Sequence, residues 1–252
     1  MIGNKKVLAV VTARAGSKGI PGKNVRELLG KPLFMWSVFA SLNSKYVDMT
    51  VVSTNCSEVS KDTQELIDEF EYLDMAICDR MQLIQRPDEI SGDLSKNEEA
   101  LIHALNSVEG EYDIVVNLQP TSPCRLNNLL DKCLEEYYNG NYDSLLTANK
   151  DTPFIWQKIE GKWVYTVDKN DCCNRKMRQE FKEDDKNSEF IWHDCGSVFI
   201  IDSKVLLETE CRIGKNPCVF EVGHMNSLQI DEEFDFELIE KMAEVKGLRS
   251  LI

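Results

Sequence analysis

Histidine is scarce in this chain of 252 residues, with three in all, and none stands in an H-x-x-x-H or Cys/His array. A transition-metal centre is therefore not expected. The nine cysteines (56, 78, 124, 133, 172, 173, 195, 211 and 218) are odd in number and contain no C-x-x-C pair. With no export signal at the start of the sequence, reduced thiols in a cytoplasmic protein are the expectation, not a disulfide framework. No apolar run reaches the length of a membrane-spanning helix. Positive charge is also in deficit: 29 Lys and Arg against 43 Asp and Glu leave a formal net charge of −14. The broad cationic footprint of a nucleic-acid partner is missing, so the basic groups present are expected to serve something small.

Those basic groups are concentrated at one end. Residues 1–31 carry Lys5, Lys6, Arg14, Lys18, Lys23, Arg26 and Lys31 against a single acid, Glu27. The apolar run Val7 to Val11 reads as a strand covered on both faces, and it leads into a loop punctuated by Gly16, Gly19, Pro21 and Gly22. Backbone N–H groups in such a turn can form an anion nest, and open α/β sheets place ligands at the C-terminal ends of their strands. Neither familiar phosphate motif fits. Ser17 stands where a Walker loop needs its first glycine and Asn24 where it needs Ser or Thr, while Arg14 replaces the first glycine of a dinucleotide fingerprint. A polyphosphate loop of another type is expected.

Along the chain, strand-like segments at 6–12, 49–53, 75–78 and 113–118 alternate with helical periodicity at 33–43, 57–70, 96–108 and 126–138. This alternation predicts a mostly parallel sheet flanked by helices, within one domain over residues 1–252. After about Leu145 the pattern changes. Residues 154–167 read as two short strands around a Glu-Gly-Lys turn, and a charged segment follows at 168–189. Residues 151–190 are thus expected to form a lid or dimerisation extension. Strands at 197–201 and 217–222 and a last helix over 233–246 complete the reading.

Two further segments carry chemistry. Asn117-Leu-Gln119-Pro-Thr121-Ser122-Pro-Cys-Arg125 continues a strand into a proline-stiffened turn that presents amides and hydroxyls suited to a base, ribose or sugar. Gln229-Ile-Asp231-Glu-Glu-Phe-Asp235 is an acidic cluster ahead of the last helix, where Asp231 or Asp235 could ligate Mg²⁺ together with substrate phosphates.

The glycine loop (residues 13–24), Gly30-Lys-Pro-Leu, Ser53-Thr54, Arg86-Pro87, the segment from Asp93 to Leu105, Leu118 to Pro123, and Ile230 to Phe236 occur in an order that resembles the acylneuraminate cytidylyltransferases, or CMP-sialic acid synthetases. Kdo cytidylyltransferases are more distant relatives of the same pattern. The resemblance implies a Rossmann-like three-layer α/β/α nucleotide-diphospho-sugar transferase fold. It implies Mg²⁺-dependent transfer of CMP from CTP to the anomeric hydroxyl of a nonulosonic acid, with release of pyrophosphate, by a homodimer. By position, Ala13, Arg14, Gly16, Ser17, Asn24 and Arg86 would contact the nucleotide, and Arg14, Lys18 and Lys23 would act on the triphosphate. Gln119, Thr121, Ser122 and Arg178 would face the acidic sugar, and Asp231 and Asp235 the metal. The chain departs from the family in having Gln229 where a second metal-binding Asp is usual, Asn55 in place of Asp, Lys96-Asn97 in place of serines, and Cys195-Gly196-Ser197 in place of Asn-Gly-Ala. These departures leave the acceptor open among sialic, legionaminic and pseudaminic acids. They also leave room for transfer to Kdo, for another nucleotide, and for a nucleotide-binding homologue without catalysis.

Overall fold

In the computed structural model, residues 1–16, 19–73, 75–165, 176–184 and 187–246 are described; Ser17, Lys18 and much of the charged segment 168–189 lie outside them. The elements run β1 (Val7–Thr12), a small hairpin β2 (Glu27–Leu28) and β3 (Lys31–Pro32), α1 (Leu33–Leu42), β4 (Met49–Thr54), α2 (Ser57–Tyr72) and β5 (Met81–Gln85). They continue with α3 (Asn97–Ser107), β6 (Ile114–Leu118), α4 (Leu129–Asn139), β7 (Ser144–Asp151), β8 (Trp156–Ile159) and β9 (Lys162–Tyr165). The last are β10 (Ile191–Asp202), α5 (Ser203–Thr209), β11 (Pro217–Glu221) and α6 (Glu233–Lys246).

Seven strands form one sheet in the order β11-β7-β10-β6-β1-β4-β5. Only β10 runs antiparallel to its neighbours, β6 and β7. The fold is the expected three-layer α/β/α arrangement, and β1 shows why. All six of its residues are buried. Val7, Ala9 and Val11 pack with α1, α2 and α4, whereas Leu8 and Val10 pack with Leu101 and Ala104 of α3 and Leu206 of α5. A strand apolar at every position needs a covered face on each side.

Helix α1 is buried on two sides. Phe34, Met35 and Val38 join the sheet-facing core, while Leu33 and Trp36 turn toward Ile20, Leu28, Ile230, Phe236 and Ile239. That third cluster brings the segment ahead of α6 to the glycine loop. The polar groups that α1 takes into the interior are paired: Ser41 Oγ lies 2.7 Å from Thr50 Oγ1, and Trp36 Nε1 donates to the Leu28 carbonyl at 3.1 Å.

Three expectations need correction. The strand placed at 75–78 is not formed: Met75 to Cys78 turn, with Cys78 N–H bonded to the Met75 carbonyl, and the strand is Met81–Gln85. This strand is the sheet edge, with only Met81 and Ile84 buried, so its sequence signal is weak. Strand β7 and helix α5 were not expected, and β10 starts six residues earlier than the segment 197–201. The hairpin β8–β9 lies where its turn residues predict, with Glu160 and Gly161 both at positive φ, 49° and 82°.

Candidate active site

A cleft of about 250 Å³ opens beyond the C-terminal ends of β1, β5 and β6. Arg14, Lys23, Asn24 and Arg86 line it together with Gln119, Pro120 and Thr121. Thr12 and Asn97 complete the lining; Asn97 is one of the departures from the family pattern, whereas Thr12, at the end of β1, was not singled out as a site residue.

The loop after β1 is held from outside. Thr54 Oγ1 donates to the Ala13 carbonyl at 2.5 Å, Ala15 N–H donates to Asn55 Oδ1 at 2.9 Å, and Asn24 Nδ2 donates to the Arg14 carbonyl at 2.9 Å. Gly19 passes so close to the α6 entry that an added Cβ would sit 2.7 Å from the Asp231 carbonyl oxygen. Lys23 closes the same junction: its Nζ donates to the Ile230 carbonyl at 2.6 Å and pairs with Asp231 Oδ1 at 3.3 Å.

The cations are only partly compensated. Arg14 pairs with Asp93 at 3.0 Å and touches the Ser91 carbonyl at 3.4 Å. Arg86 is 6% exposed and bonds only neutral groups among the described contacts, the Ser53 hydroxyl at 3.2 Å and carbonyl at 2.6 Å. Burial, aided by the charge of Arg14, pushes the Arg86 pKa down to about 10. Two guanidiniums and an ammonium around one polar cleft form a receptor for a multiply charged anion.

The turn after β6 is braced by Arg125, which is buried and which burial pushes down to about 9. Its guanidinium donates to the Gln119 carbonyl at 2.8 Å, the Ser197 carbonyl at 2.8 Å and the Ser37 hydroxyl at 2.9 Å. Ile230 N–H reaches the Thr121 carbonyl at 2.8 Å, so the turn and the α6 entry are stitched together. The side chains of Gln119 and Thr121 remain at the cleft.

Several residues expected at the site have other positions. Ser122 is fully buried and its hydroxyl donates to the Cys195 carbonyl at 3.0 Å, so it supports the turn and does not face a ligand. Ala13 is also fully buried, with its N–H on the Ser53 carbonyl and its own carbonyl taken by Thr54. Asp235 reaches back to the N–H groups of Asp231 and Glu232, each at 2.8 Å, and caps α6. Its carboxylate thus shapes the segment that presents Asp231. Arg178 is exposed in the extension and does not line the cleft. Gly16 borders a small recess beside the cleft, with Gly22 and Cys56. Ser17 and Lys18 lie outside the described residues.

A glycine-loop α/β fold with three cations at the strand ends agrees with the comparison to known families, where the cytidylyltransferase model matches residues 8–185. The chain belongs to the cytidylyltransferase family. It is 26% identical over 237 residues to the N-acylneuraminate cytidylyltransferase of Escherichia coli, a match covering 92% of this chain and 51% of that protein. The chain spans about half the length of that relative and of two N-acylneuraminate cytidylyltransferases from fish. It is 25% identical over 247 residues to the CMP-N,N′-diacetyllegionaminic acid synthase of Legionella pneumophila, covering 95% of this chain and 97% of that one. Among solved structures, CMP:2-keto-3-deoxy-manno-octonic acid synthetase complexed with CTP superposes with a TM-score of 0.63 at 16% identity, over 96% of this chain and 99% of that one. That likeness is one of fold.

Proposed function

We propose that this cytidylyltransferase transfers CMP from CTP to the anomeric hydroxyl of a nonulosonic acid, giving a CMP-sugar and pyrophosphate. The observation that carries the reading is the convergence of Arg14, Lys23 and Arg86 on one cleft that the Gln119–Thr121 turn also lines. The cationic side suits the triphosphate. Negative charge builds on the departing pyrophosphate during transfer, and fixed cations stabilise that charge without reorganising. The amide and hydroxyl side suits the polyhydroxylated acid, whose own carboxylate adds to the demand for positive charge.

The donor set also fits a magnesium ion. Asp231 offers an exposed carboxylate with one oxygen toward Lys23, Gln229 beside it is neutral, and the Asp235 carboxylate is engaged by two backbone N–H groups. One carboxylate supplemented by phosphate oxygens and water is a usual environment for Mg²⁺. When bound at Asp231, the ion would polarise the α-phosphate and help align the acceptor hydroxyl. Lys23 ties the same carboxylate to the glycine loop, so metal and triphosphate sites are held in one frame.

We further read the enzyme as a cytoplasmic homodimer joined through the extension. The hairpin β8–β9 exposes Trp156 and Trp163 on one face, the latter at 66%, an apolar surface that a second copy would cover. No described helix is long and apolar enough to cross a membrane.

The acceptor is tested by product identity. Incubated with CTP, MgCl₂ and, in turn, N-acetylneuraminic, diacetyllegionaminic and pseudaminic acids and Kdo, the protein is expected to yield a CMP-sugar mass with at least one nonulosonic acid. Product with Kdo alone would move the assignment to the Kdo branch, and product with none would favour a homologue that binds nucleotide without transfer.

A further inference from the structure

Asn55 follows β4 directly and is half-buried between two loops of the cleft. Its Oδ1 accepts the N–H of Ala15 at 2.9 Å, and its Nδ2 donates to Asp88 Oδ1 at 3.3 Å. One neighbour can only donate and the other, ionised, can only accept. A carboxamide satisfies both at once, and a carboxylate of the same size cannot. The amide orientation follows from the same two partners.

The surrounding bonds show what this bridge completes. Thr54 Oγ1 holds the Ala13 carbonyl, and the Arg86 N–H donates to the Thr54 carbonyl at 2.7 Å. The loops after β1 and β5 are thus both tied to residues 53–55. Asn55 extends the tie to Ala15, immediately ahead of Gly16, whose φ of 75° is a backbone conformation that favours glycine.

We propose that Asn55 is a positioning residue for the triphosphate: its bridge from Ala15 to Asp88 fixes the backbone at Ala15–Gly16 without bringing a second negative charge to the loop. The inference rests on the CTP reading above. A carboxylate at position 55 still accepts from Ala15, but it faces the carboxylate of Asp88 with like charge, so the bridge between the two loops is lost. Exchanging the two side chains reverses the polarity of the bridge and restores it, since the carboxylate at 55 then accepts both from Ala15 and from an amide at 88.

The test is calorimetric titration of CTP into wild type, Asn55→Asp and the Asn55→Asp/Asp88→Asn double variant, all with MgCl₂, alongside the KM for CTP and kcat. Asn55→Asp is expected to weaken CTP binding and raise its KM about tenfold, the scale of a lost charged hydrogen bond, with kcat little changed. The double variant is expected to recover most of the loss. A purely structural role would lower the thermal midpoint of Asn55→Asp and leave its KM for CTP unmoved. Wild-type CTP binding in Asn55→Asp, or a double variant as weak as the single, would overturn the inference alone. A wild-type protein that gives no heat with CTP would overturn the CTP reading together with it.

Discussion

Lys23 is 7% exposed, and the Ile230 carbonyl and the Asp231 carboxylate take two of its three donors, which leaves the third for the cleft it lines. Lys23→Ala is expected to lower kcat by about 10²–10³, the usual loss when a transition-state charge partner is removed, with the fold retained by circular dichroism. Lys23→Arg is not a conservative rescue, since a planar fork cannot occupy the same junction. Asp235 acts one step back. Asp235→Ala removes a cap from α6 and is expected to cost about 1 kcal/mol in urea unfolding, while also lowering turnover by loosening Asp231. Full turnover in a destabilised Asp235→Ala protein would separate the cap from the site.

At the scale of elements, the glycine at 196 decides how β10 meets the cleft. It has φ 62°, and an added Cβ would lie 2.5 Å from Gln119 Oε1 and 3.1 Å from Gln229 Nε2. Gly196→Ala is expected to displace Gln119 and raise the KM for the acceptor more than that for CTP, as steady-state kinetics with each substrate varied would show. The glycine here also clarifies what the sequence could disclose. Strand β1 was legible because six buried residues leave no alternative to a central strand. Strand β5 was not, because an edge strand with two buried residues carries less hydrophobic signal than the neighbouring Met75-Ala-Ile-Cys run that forms only a turn. Ser122 and Asp235 were misplaced for a related reason: polar side chains in a site segment look alike whether they face the ligand or hold the backbone behind it. Only the contacts separate the two, as the Cys195 carbonyl and the Asp231 and Glu232 N–H groups do here. The Asn55 bridge was invisible for the same cause, since Asp88 lies 33 residues away in sequence.

Taken as a whole, the molecule carries a net charge of −14 and yet gathers Arg14, Lys23 and Arg86 at one cleft. CTP affinity is therefore expected to fall as ionic strength rises from 20 to ~500 mM, because screening acts on the cleft's attraction for a polyanion; an affinity independent of salt would argue against a triphosphate held by these cations. The extension exposes Trp163, and sedimentation is expected to return twice the chain mass. Trp163→Glu is expected to sediment as a monomer. A wild-type monomer would leave the hairpin without its assigned partner. The most direct test of the assignment is pyrophosphate release by the purified protein with Mg²⁺, measured with CTP, UTP, ATP or GTP in the presence and absence of a nonulosonic acid. Release that requires CTP and the sugar acid together is the expected result; release with nucleotide alone, or with no pairing at all, would contradict it.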